Sequence, residues 1–97
     1  MAQFDHFRLD DGQLVVDLQT DLIGIEATCV VAPLREAGRY TTFPSLTPSV
    51  EIGGTAWIVR VQELAAVPGA ELRERAGSLA AHRDPLKRAL DILIDGV

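Results

Sequence analysis

The sequence predicts a mainly β fold, a small β-barrel followed by a C-terminal α-helix, on three observations. Short apolar segments separated by turn-forming residues fill most of the chain. Gly53-Gly54 joins two of these segments and is typical of a two-residue hairpin loop. From Asp84 to Val97 the apolar residues repeat with the period of an amphipathic helix. Since the sequence contains no internal repeat or interdomain linker, we expect one domain over residues 1–97.

The first half of the chain predicts a hairpin and a central strand. Residues 4–9 and 13–19 have the composition of two strands, and Asp10-Asp11-Gly12 between them predicts a turn. Residues 28–32 are almost entirely apolar, which is typical of a strand buried on both faces. We expect Pro33 to end this strand because proline has no N–H to donate to a sheet.

The second half predicts a long loop, a second hairpin and a short strand. Residues 35–48 contain proline, glycine, serine and threonine throughout, and therefore predict a long surface loop. The strands on either side of the glycine pair are expected at 49–52 and 55–61. Another short strand is expected at 64–67, and the charged segment 71–75 is expected to be helical or irregular.

The C-terminal helix has a predicted start and a predicted apolar face. Asp84 suits the N-cap, and Pro85 suits the first helical position, where its missing N–H costs nothing. Ile92 falls outside the apolar face, so either a partner covers it or it is an ordinary exposed residue. The apolar face consists of Leu86, Ala89, Leu90, Leu93, Ile94 and Val97, and the opposite face carries Lys87, Arg88, Asp91 and Asp95.

The charge of the chain restricts its partners. A formal net charge of −5 argues against a surface for nucleic acid, which needs clustered Lys and Arg to neutralise phosphates. The N-terminus lacks the basic and apolar regions of a secretion signal, and no apolar run approaches the length of a membrane span. We therefore expect a cytoplasmic protein that binds other proteins, without direct contact to nucleic acid or membrane.

The sequence offers no clear catalytic or metal-binding cluster. Cys29 is the only cysteine, which excludes an intrachain disulfide, and its apolar neighbours predict a buried side chain. His6 and His82 lack the spacing of metal ligands and are expected to be surface or hairpin residues. Asp17 and Asp21 are not spaced as a catalytic pair, and Asp21 predicts a cap or a turn. No catalytic residue, metal ion or cofactor is therefore expected.

Five segments, in this order, resemble the CcdB family of bacterial toxins. They are Leu14-Val15-Val16-Asp17-Leu18-Gln19-Thr20-Asp21-Leu22-Ile23, Val31-Ala32-Pro33-Leu34, Trp57, Leu64-Ala65-Ala66-Val67-Pro68 and the terminal Gly96-Val97. The resemblance spans nearly the whole chain, and its first and fourth segments are the most specific. It implies a small SH3-like barrel of the CcdB/MazF type, a homodimer, and the toxin of a toxin–antitoxin module that poisons DNA gyrase without being an enzyme.

The resemblance also implies which residues contact the A subunit of DNA gyrase. A two-fold dimer would present the helix end twice to a target that is itself two-fold symmetric. The best-known toxins of the family carry Trp where this chain has Asp95 and stack it on a gyrase Arg, so we expect weakened or altered targeting. The implied contacts are Thr20, Leu22, Asp91, Leu93, Ile94, Asp95, Gly96 and Val97.

A CcdA-like antitoxin is the second partner that the resemblance implies. Such an antitoxin is a small protein whose disordered C-terminal segment folds onto the toxin dimer. Candidate contacts lie in the predicted turn of the first hairpin and in the predicted long loop, and the alternative is that both are plain solvent-exposed loops. The candidates are Arg8, Asp10, Asp11, Gly12, Arg39, Tyr40 and Phe43.

Two other functions stay open at this point. A diverged member of the family would keep the dimer and the antitoxin but have another target or no toxicity. A ribonuclease is the enzyme hypothesis, because the related MazF and Kid toxins share the barrel and cut RNA. The absence of an evident cluster of Arg, His and carboxylate residues makes the ribonuclease less favoured.

Overall fold

The computed structural model describes residues 2–23 and 27–96, which form a mainly β fold with one C-terminal helix, as predicted. Short 3₁₀ turns occupy Asp21–Ile23, Val61–Glu63, Gly69–Glu71 and Ala80–His82. The strands and the helix are β1 Asp5–Arg8, β2 Leu14–Asp17, β3 Thr28–Glu36, β4 Ser49–Ile52, β5 Thr55–Val59, β6 Ala65–Pro68, β7 Glu74–Ser78 and α1 Arg83–Asp95.

The strands form one antiparallel, half-barrel sheet around β3. Their order is β4-β5-β3-β2-β1-β7, and β6 also pairs with β3. The central position of this strand is therefore confirmed. Its predicted end at Pro33 is wrong, since β3 continues to Glu36. Along one edge, β3 pairs with β6 at residues 28–31 and with β5 at residues 34–36. Pro33 lies between these two partners, where the ladder needs no N–H from it.

Both predicted hairpins are confirmed. In the first, Phe7 lies opposite Val15, and the β1–β2 turn is closed by the Leu9 N–H donating to the Gln13 carbonyl at 2.8 Å. In the second, β4 and β5 flank Gly53-Gly54, whose φ angles of 59° and 83° are left-handed, as a hairpin of this length requires. Strand β5 ends at Val59 rather than at the predicted residue 61, because the chain then makes a 3₁₀ turn.

The charged segment 71–75 differs from its prediction. It contains the end of the Gly69–Glu71 turn and the first residues of β7, which pairs with β1. Most of β7 is exposed at the edge of the sheet, so its residues lack the alternation of apolar and polar side chains that identifies a half-buried strand. The predicted loop is shorter than expected, since it begins after Glu36, and the short strand expected at 64–67 is confirmed as β6.

The helix begins two residues earlier than predicted. Its N-cap is His82, which makes no side-chain capping hydrogen bond, so the prediction of Asp84 as N-cap and Pro85 as first residue is wrong. A 3₁₀ turn leads directly into α1, with the His82 N–H donating to the Leu79 carbonyl at 2.9 Å. Consecutive turns of this kind satisfy backbone groups without a capping side chain.

The apolar face of α1 covers the main core of the barrel. Leu86 and Ala89 are fully buried, and Leu90 and Leu93 are partly buried against the same core. The core itself contains Phe4, Leu14, Val16, Leu18, Ala32, Leu34, Val50, Val59, Val61 and Leu79. Ile92 is half-buried, whereas Ile94 is 75% exposed although it belongs to the predicted apolar face. In the part of the chain that the structure describes, no helix has the length and apolar character needed to cross a membrane.

Candidate functional site

A cleft of about 420 Å³ lies between the β1–β2 turn and the start of the β3–β4 loop. Its lining is formed by residues 11–14, 34–36, 39, 40 and 57. The cleft brings Asp11 and Gly12 together with Arg39 and Tyr40, which the sequence placed in two separate groups of antitoxin contacts. The fold is responsible, because β2 and β3 are neighbours and carry their adjoining loops to the same end of the sheet.

Arg35 and Tyr40 are the chemically distinctive groups of this cleft. The Arg35 Nη1 donates to Gln13 Oε1 at 2.9 Å, and its guanidinium carbon is 5.9 Å from the centre of the Tyr40 ring. A second guanidinium carbon, that of Arg60, is 5.5 Å from the same ring centre. Arg60 also forms an ion pair with Glu63 and donates to the Thr41 carbonyl, which leaves Tyr40 beside two cations.

The charged groups that line the cleft, Arg35 included, balance one another. Arg39 Nε lies 3.8 Å from Glu36 Oε2, and both side chains are largely exposed. Asp11 Oδ1 accepts a hydrogen bond from the Gln13 backbone N–H at 2.9 Å, which fixes the turn. Two acidic and two basic residues therefore line the cleft, and Trp57 and Leu34 supply apolar wall.

Three of the predicted antitoxin contacts do not line the cleft. Arg8 is exposed and donates to the Gly12 carbonyl at 3.1 Å. Both carboxylate oxygens of Asp10 lie 2.7 Å from Arg73 Nη2, in an ion pair that is exposed on both sides. Phe43 is 45% exposed in the β3–β4 loop. These side chains lie on adjoining surface, and Arg35 is a cleft residue that the sequence did not indicate.

The end of α1 holds most of the predicted gyrase contacts. Asp91, Ile94 and Asp95 are exposed, whereas Leu93 is half-buried and packs on the main core. Gly96 ends the helix with a left-handed φ of 76°, and its N–H donates to the Ile92 carbonyl at 2.8 Å. The predicted contact at Val97 lies outside the described residues.

The other two predicted gyrase contacts belong to the connection between β2 and β3. Leu22 is 96% exposed, and its N–H donates to Thr20 Oγ1 at 3.3 Å. Asp21 lies in the turn that the sequence predicted, and its carboxylate accepts the Gln3 N–H at 2.7 Å. A leucine with nearly its whole side chain in water contributes little to packing, so its apolar surface is free for a partner.

Asp17 and Cys29 form a buried pair on the other face of the sheet. The Cys29 thiol donates to Asp17 Oδ1 at 3.2 Å, and both residues are at most 5% exposed. Burial, followed by the hydrogen bond and the charge of Asp17, raises the pKa of Cys29 to about 12. Burial also raises the pKa of Asp17, against the hydrogen bonds from Cys29 and from the Gln19 N–H. The thiol is therefore protonated and inert, as its predicted burial indicates.

His6 lies in the first hairpin, as predicted, but it is buried rather than a surface residue. Neither ring nitrogen has a hydrogen-bond partner among the described residues. Burial lowers the pKa of His6, helped by the charges of Arg75 and Arg8 and opposed by Asp5. Within residues 2–23 and 27–96, no three His, Cys, Asp or Glu side chains are grouped as a metal site would require.

Arg75 and Asp5 form the ion pair beside this histidine. Arg75 Nε lies 3.0 Å from Asp5 Oδ2, whose side chain is nearly buried. Burial alone would raise the pKa of Asp5, but hydrogen bonds from Arg75 and the Ala2 N–H, together with the positive charge of Arg75, lower it. This pair supports the β1–β7 edge and does not reach the cleft.

The family of the chain follows from a match over nearly its whole length. Residues 3–96 match the family model described as CcdB protein. The chain belongs to the CcdB family. No curated protein matches it. The resemblance that the sequence motifs indicated is therefore confirmed, and membership of this family indicates a toxin of a toxin–antitoxin system with an antitoxin as partner.

Solved structures with a similar fold include two toxins and an endoribonuclease. A structure described as the crystal structure of Mtb toxin is 16% identical, with a TM-score of 0.74, and covers 91% of this chain and 98% of its own. The Mycobacterium tuberculosis toxin MazF-mt6 is 18% identical, with a TM-score of 0.74, and covers 94% of each chain. An endoribonuclease from mycobacterial species is 17% identical, with a TM-score of 0.71, and covers 97% of this chain and 90% of its own.

These likenesses establish the CcdB/MazF-type fold of the chain. The family fits a toxin without enzymatic activity, whereas one structural neighbour carries the name of an endoribonuclease. The family model therefore indicates a toxin, and the solved structures show its fold.

Proposed function

We propose that the chain is the toxin of a type II toxin–antitoxin module and that it binds the A subunit of DNA gyrase through the end of α1. The observation that carries this proposal is the exposure of Ile94. Every other described residue of the apolar helix face is buried or partly buried on the core, whereas Ile94 is 75% exposed at the last turn. An apolar side chain there serves a partner better than it serves the barrel.

A homodimer would complete this surface. In a two-fold dimer each patch occurs twice, so two helix ends and two copies of Leu22 could together face a target that is itself a dimer. Asp91 and Asp95 are exposed in the last turns of the helix, as is Ile94, and we propose the exposed Leu22 of the β2–β3 connection as a second apolar contact. Thr20 accepts the Leu22 N–H and would hold that leucine in its orientation.

Asp95 sets the strength of the proposed contact. Indole on guanidinium adds area and cation–π attraction, and an aromatic anchor of this kind is worth about 2 kcal/mol or more. An exposed carboxylate–guanidinium pair is worth roughly 0–1 kcal/mol. The carboxylate of Asp95 also lies near the negative end of the helix dipole, which is an unfavourable site for an anion. We therefore propose weaker binding than in toxins with Trp at this position.

Gyrase assays with three proteins test the proposal. The native chain, Asp95→Trp and Asp95→Asn are compared for DNA cleavage-complex formation and for binding to the A subunit of gyrase from the source organism. Asp95→Trp should lower the half-maximal concentration by roughly 30-fold, which corresponds to about 2 kcal/mol. Asp95→Asn removes the charge without adding area and should change it by less than about fivefold. If neither the native chain nor Asp95→Trp binds the A subunit, the gyrase proposal is wrong.

A diverged toxin with another target is the second candidate, and Asp95 is the observation that favours it. The carboxylate removes the aromatic anchor, while the helix beneath it keeps its packing. Inducible expression in the source organism separates the two candidates. Growth arrest with unchanged supercoiling and no trapped cleavage complex would select the diverged toxin.

A ribonuclease is the third candidate, favoured by the fold shared with the mycobacterial endoribonuclease. The cleft has arginines and carboxylates, but neither histidine lines it, and His6 is buried elsewhere. Incubation of the purified chain with total RNA is the test. RNA that stays intact at a large molar excess of protein would dispose of this candidate.

The proposed antitoxin binds at the cleft and on the surface beside it. The support is geometric, since the cleft joins Asp11 and Gly12 to Arg39 and Tyr40, and Phe43 and Arg8 are exposed nearby. A disordered segment that folds onto this surface could be removed by proteolysis, which would free the toxin. Co-expression with any small, acidic reading frame that immediately precedes the gene should restore growth. Failure to restore growth would remove that reading frame as the antitoxin.

A further inference from the structure

We propose that Arg35 is the specificity residue of the cleft and that it pairs with a carboxylate side chain of the bound antitoxin segment. The inference rests on the proposed antitoxin function and adds the chemistry of the segment to it. The occupant is an extended peptide that carries one Asp or Glu next to apolar residues.

The guanidinium of Arg35 is held in position without a carboxylate. It extends from the central strand β3 and donates to the neutral amide oxygen of Gln13 at 2.9 Å, with Tyr40 packed beside it. The neighbouring arginines differ, because Arg39 pairs with Glu36 and Arg60 pairs with Glu63. Within the described residues, Arg35 is therefore the cleft arginine without a carboxylate partner, and it keeps donors available for an external anion.

Its surroundings favour a strong pair. Arg35 is half-buried, so a carboxylate bound to it would be screened less by water than one bound to an exposed arginine. The contacts with Gln13 and Tyr40 restrict the guanidinium before binding, which reduces the entropy lost on pairing. The apolar wall formed by Leu34 and Trp57 suits the neighbouring side chains of a peptide.

The same charges disfavour a nucleic acid in this cleft. Asp11 and Glu36 line it together with Arg35 and Arg39, so the charges of the lining sum to zero. A phosphate backbone brings one negative charge per nucleotide and needs an excess of cations. A peptide with a single carboxylate needs only the one guanidinium that lacks an acidic partner. The formal net charge of −5 on the whole chain acts in the same direction.

Peptides selected from a random displayed library on the native protein provide the probe. Each selected peptide is made with its Asp or Glu intact and with Asn or Gln in that place, and both forms are titrated against native protein, Arg35→Gln, Arg35→Lys and Arg88→Gln. Thermal unfolding of each variant verifies that it is folded. A single-stranded oligoribonucleotide is titrated in parallel.

We expect loss of the peptide carboxylate to weaken binding to native protein by about tenfold or more, as for a hydrogen bond between charged groups. On Arg35→Gln the same change should cost less than about twofold, and Arg35→Lys should keep part of the difference. Arg88→Gln is the matched control, and it should change binding by less than about twofold because Arg88 is exposed on α1 and does not line the cleft.

Three results would overturn the inference: no peptide is selected, the selected peptides lack an acidic residue, or loss of the carboxylate costs equally on native protein and Arg35→Gln. Tight oligoribonucleotide binding that Arg35→Gln abolishes would also overturn it, in favour of an RNA site. The titrations use only purified protein and peptides. A failure of toxicity or of antitoxin rescue in cells would therefore count against the proposed function and leave this measurement independent of it.

Discussion

Two residues of α1 with side chains of equal size allow packing and recognition to be separated. Leu86 is fully buried in the main core, and Ile94 is 75% exposed at the last turn. Truncation to alanine removes the same number of carbon atoms from each. Any difference between Leu86→Ala and Ile94→Ala in stability or toxicity therefore arises from the surroundings of the residue.

The structure gives a magnitude for each truncation. Replacing a fully buried leucine by alanine costs about 2–5 kcal/mol, because transfer free energy is lost and a cavity remains. For a domain of this size, each kcal/mol lowers the melting temperature by about 4–8 °C, so Leu86→Ala should lower it by at least about 8 °C. Ile94→Ala should change the free energy of unfolding by less than about 0.5 kcal/mol, as is usual for exposed positions.

For toxicity we expect the opposite order, with a larger direct effect from Ile94→Ala than from Leu86→Ala. Ile94→Ala should abolish or strongly reduce growth arrest at unchanged stability, because it removes a proposed partner contact. Leu86→Ala should reduce growth arrest only in proportion to the loss of folded protein. The measurements are urea unfolding followed by circular dichroism, and growth after induction with protein levels matched by immunoblot.

Two outcomes would refute the proposal that Leu86 serves packing and Ile94 serves partner binding. One is an Ile94→Ala variant that is stable and fully toxic, since the exposed isoleucine would then contact no target. The other is a loss of more than about 1 kcal/mol in Ile94→Ala, relative to the native chain, that becomes smaller when both proteins are diluted. Such a loss would assign Ile94 to the interface between two copies of the chain.

Two further predictions concern the buried titratable groups. Cys29 should not react with a thiol reagent at pH 8 until the protein unfolds, because a pKa of about 12 leaves on the order of one thiolate in ten thousand. The free energy of unfolding should fall as the pH is lowered from 7.5 to 5.5. The lowered pKa of His6 means that the unfolded chain takes up a proton at higher pH than the native one, and His6→Phe should flatten this dependence.

The parts of the fold that the sequence predicts correctly are those set by local chemistry. Gly53-Gly54 supplies the left-handed angles of a hairpin turn, and the apolar period from Leu86 to Leu93 marks the helix face. The burial of Cys29 follows from its apolar neighbours. In each case a few adjacent residues contain the whole physical cause.

The errors occur where a distant segment decides the structure. Pro33 is tolerated within β3 because, along one edge of β3, the paired strand changes there from β6 to β5. The β7 strand, Glu74–Ser78, exists because β1 pairs with it, and its exposed residues carry no apolar alternation. His6 is buried against Gly77 of β7. The contact is so close that a Cβ atom at position 77 would lie 2.7 Å from Cε1 of the His6 ring. Sequence patterns contain none of these pairings.

The candidate site likewise has one part that the sequence predicts and one part that depends on distant segments. The separate segments containing Asp11 and Arg39 could be chosen from the sequence, but their meeting in one cleft depends on the pairing of β2 with β3. Arg35 was missed because a single arginine after an apolar strand is usually a solvated residue. Its proposed role depends on its contacts with Gln13 and Tyr40 and on the lack of an ion pair between Arg35 and any described carboxylate.

Gly96 and Asp95, at the end of α1, differ in what they indicate about the target of the toxin. Gly96 matches the gyrase-poison pattern, but its φ of 76° and its hydrogen bond to Ile92 give it a backbone role that would persist with any partner. Its presence therefore says little about the target. Asp95 has no such role, since it is exposed and forms no ion pair with another described residue. The fold leaves this position free to change, and we therefore propose that Asp95, together with the exposed Ile94 and Leu22, determines which protein the toxin binds.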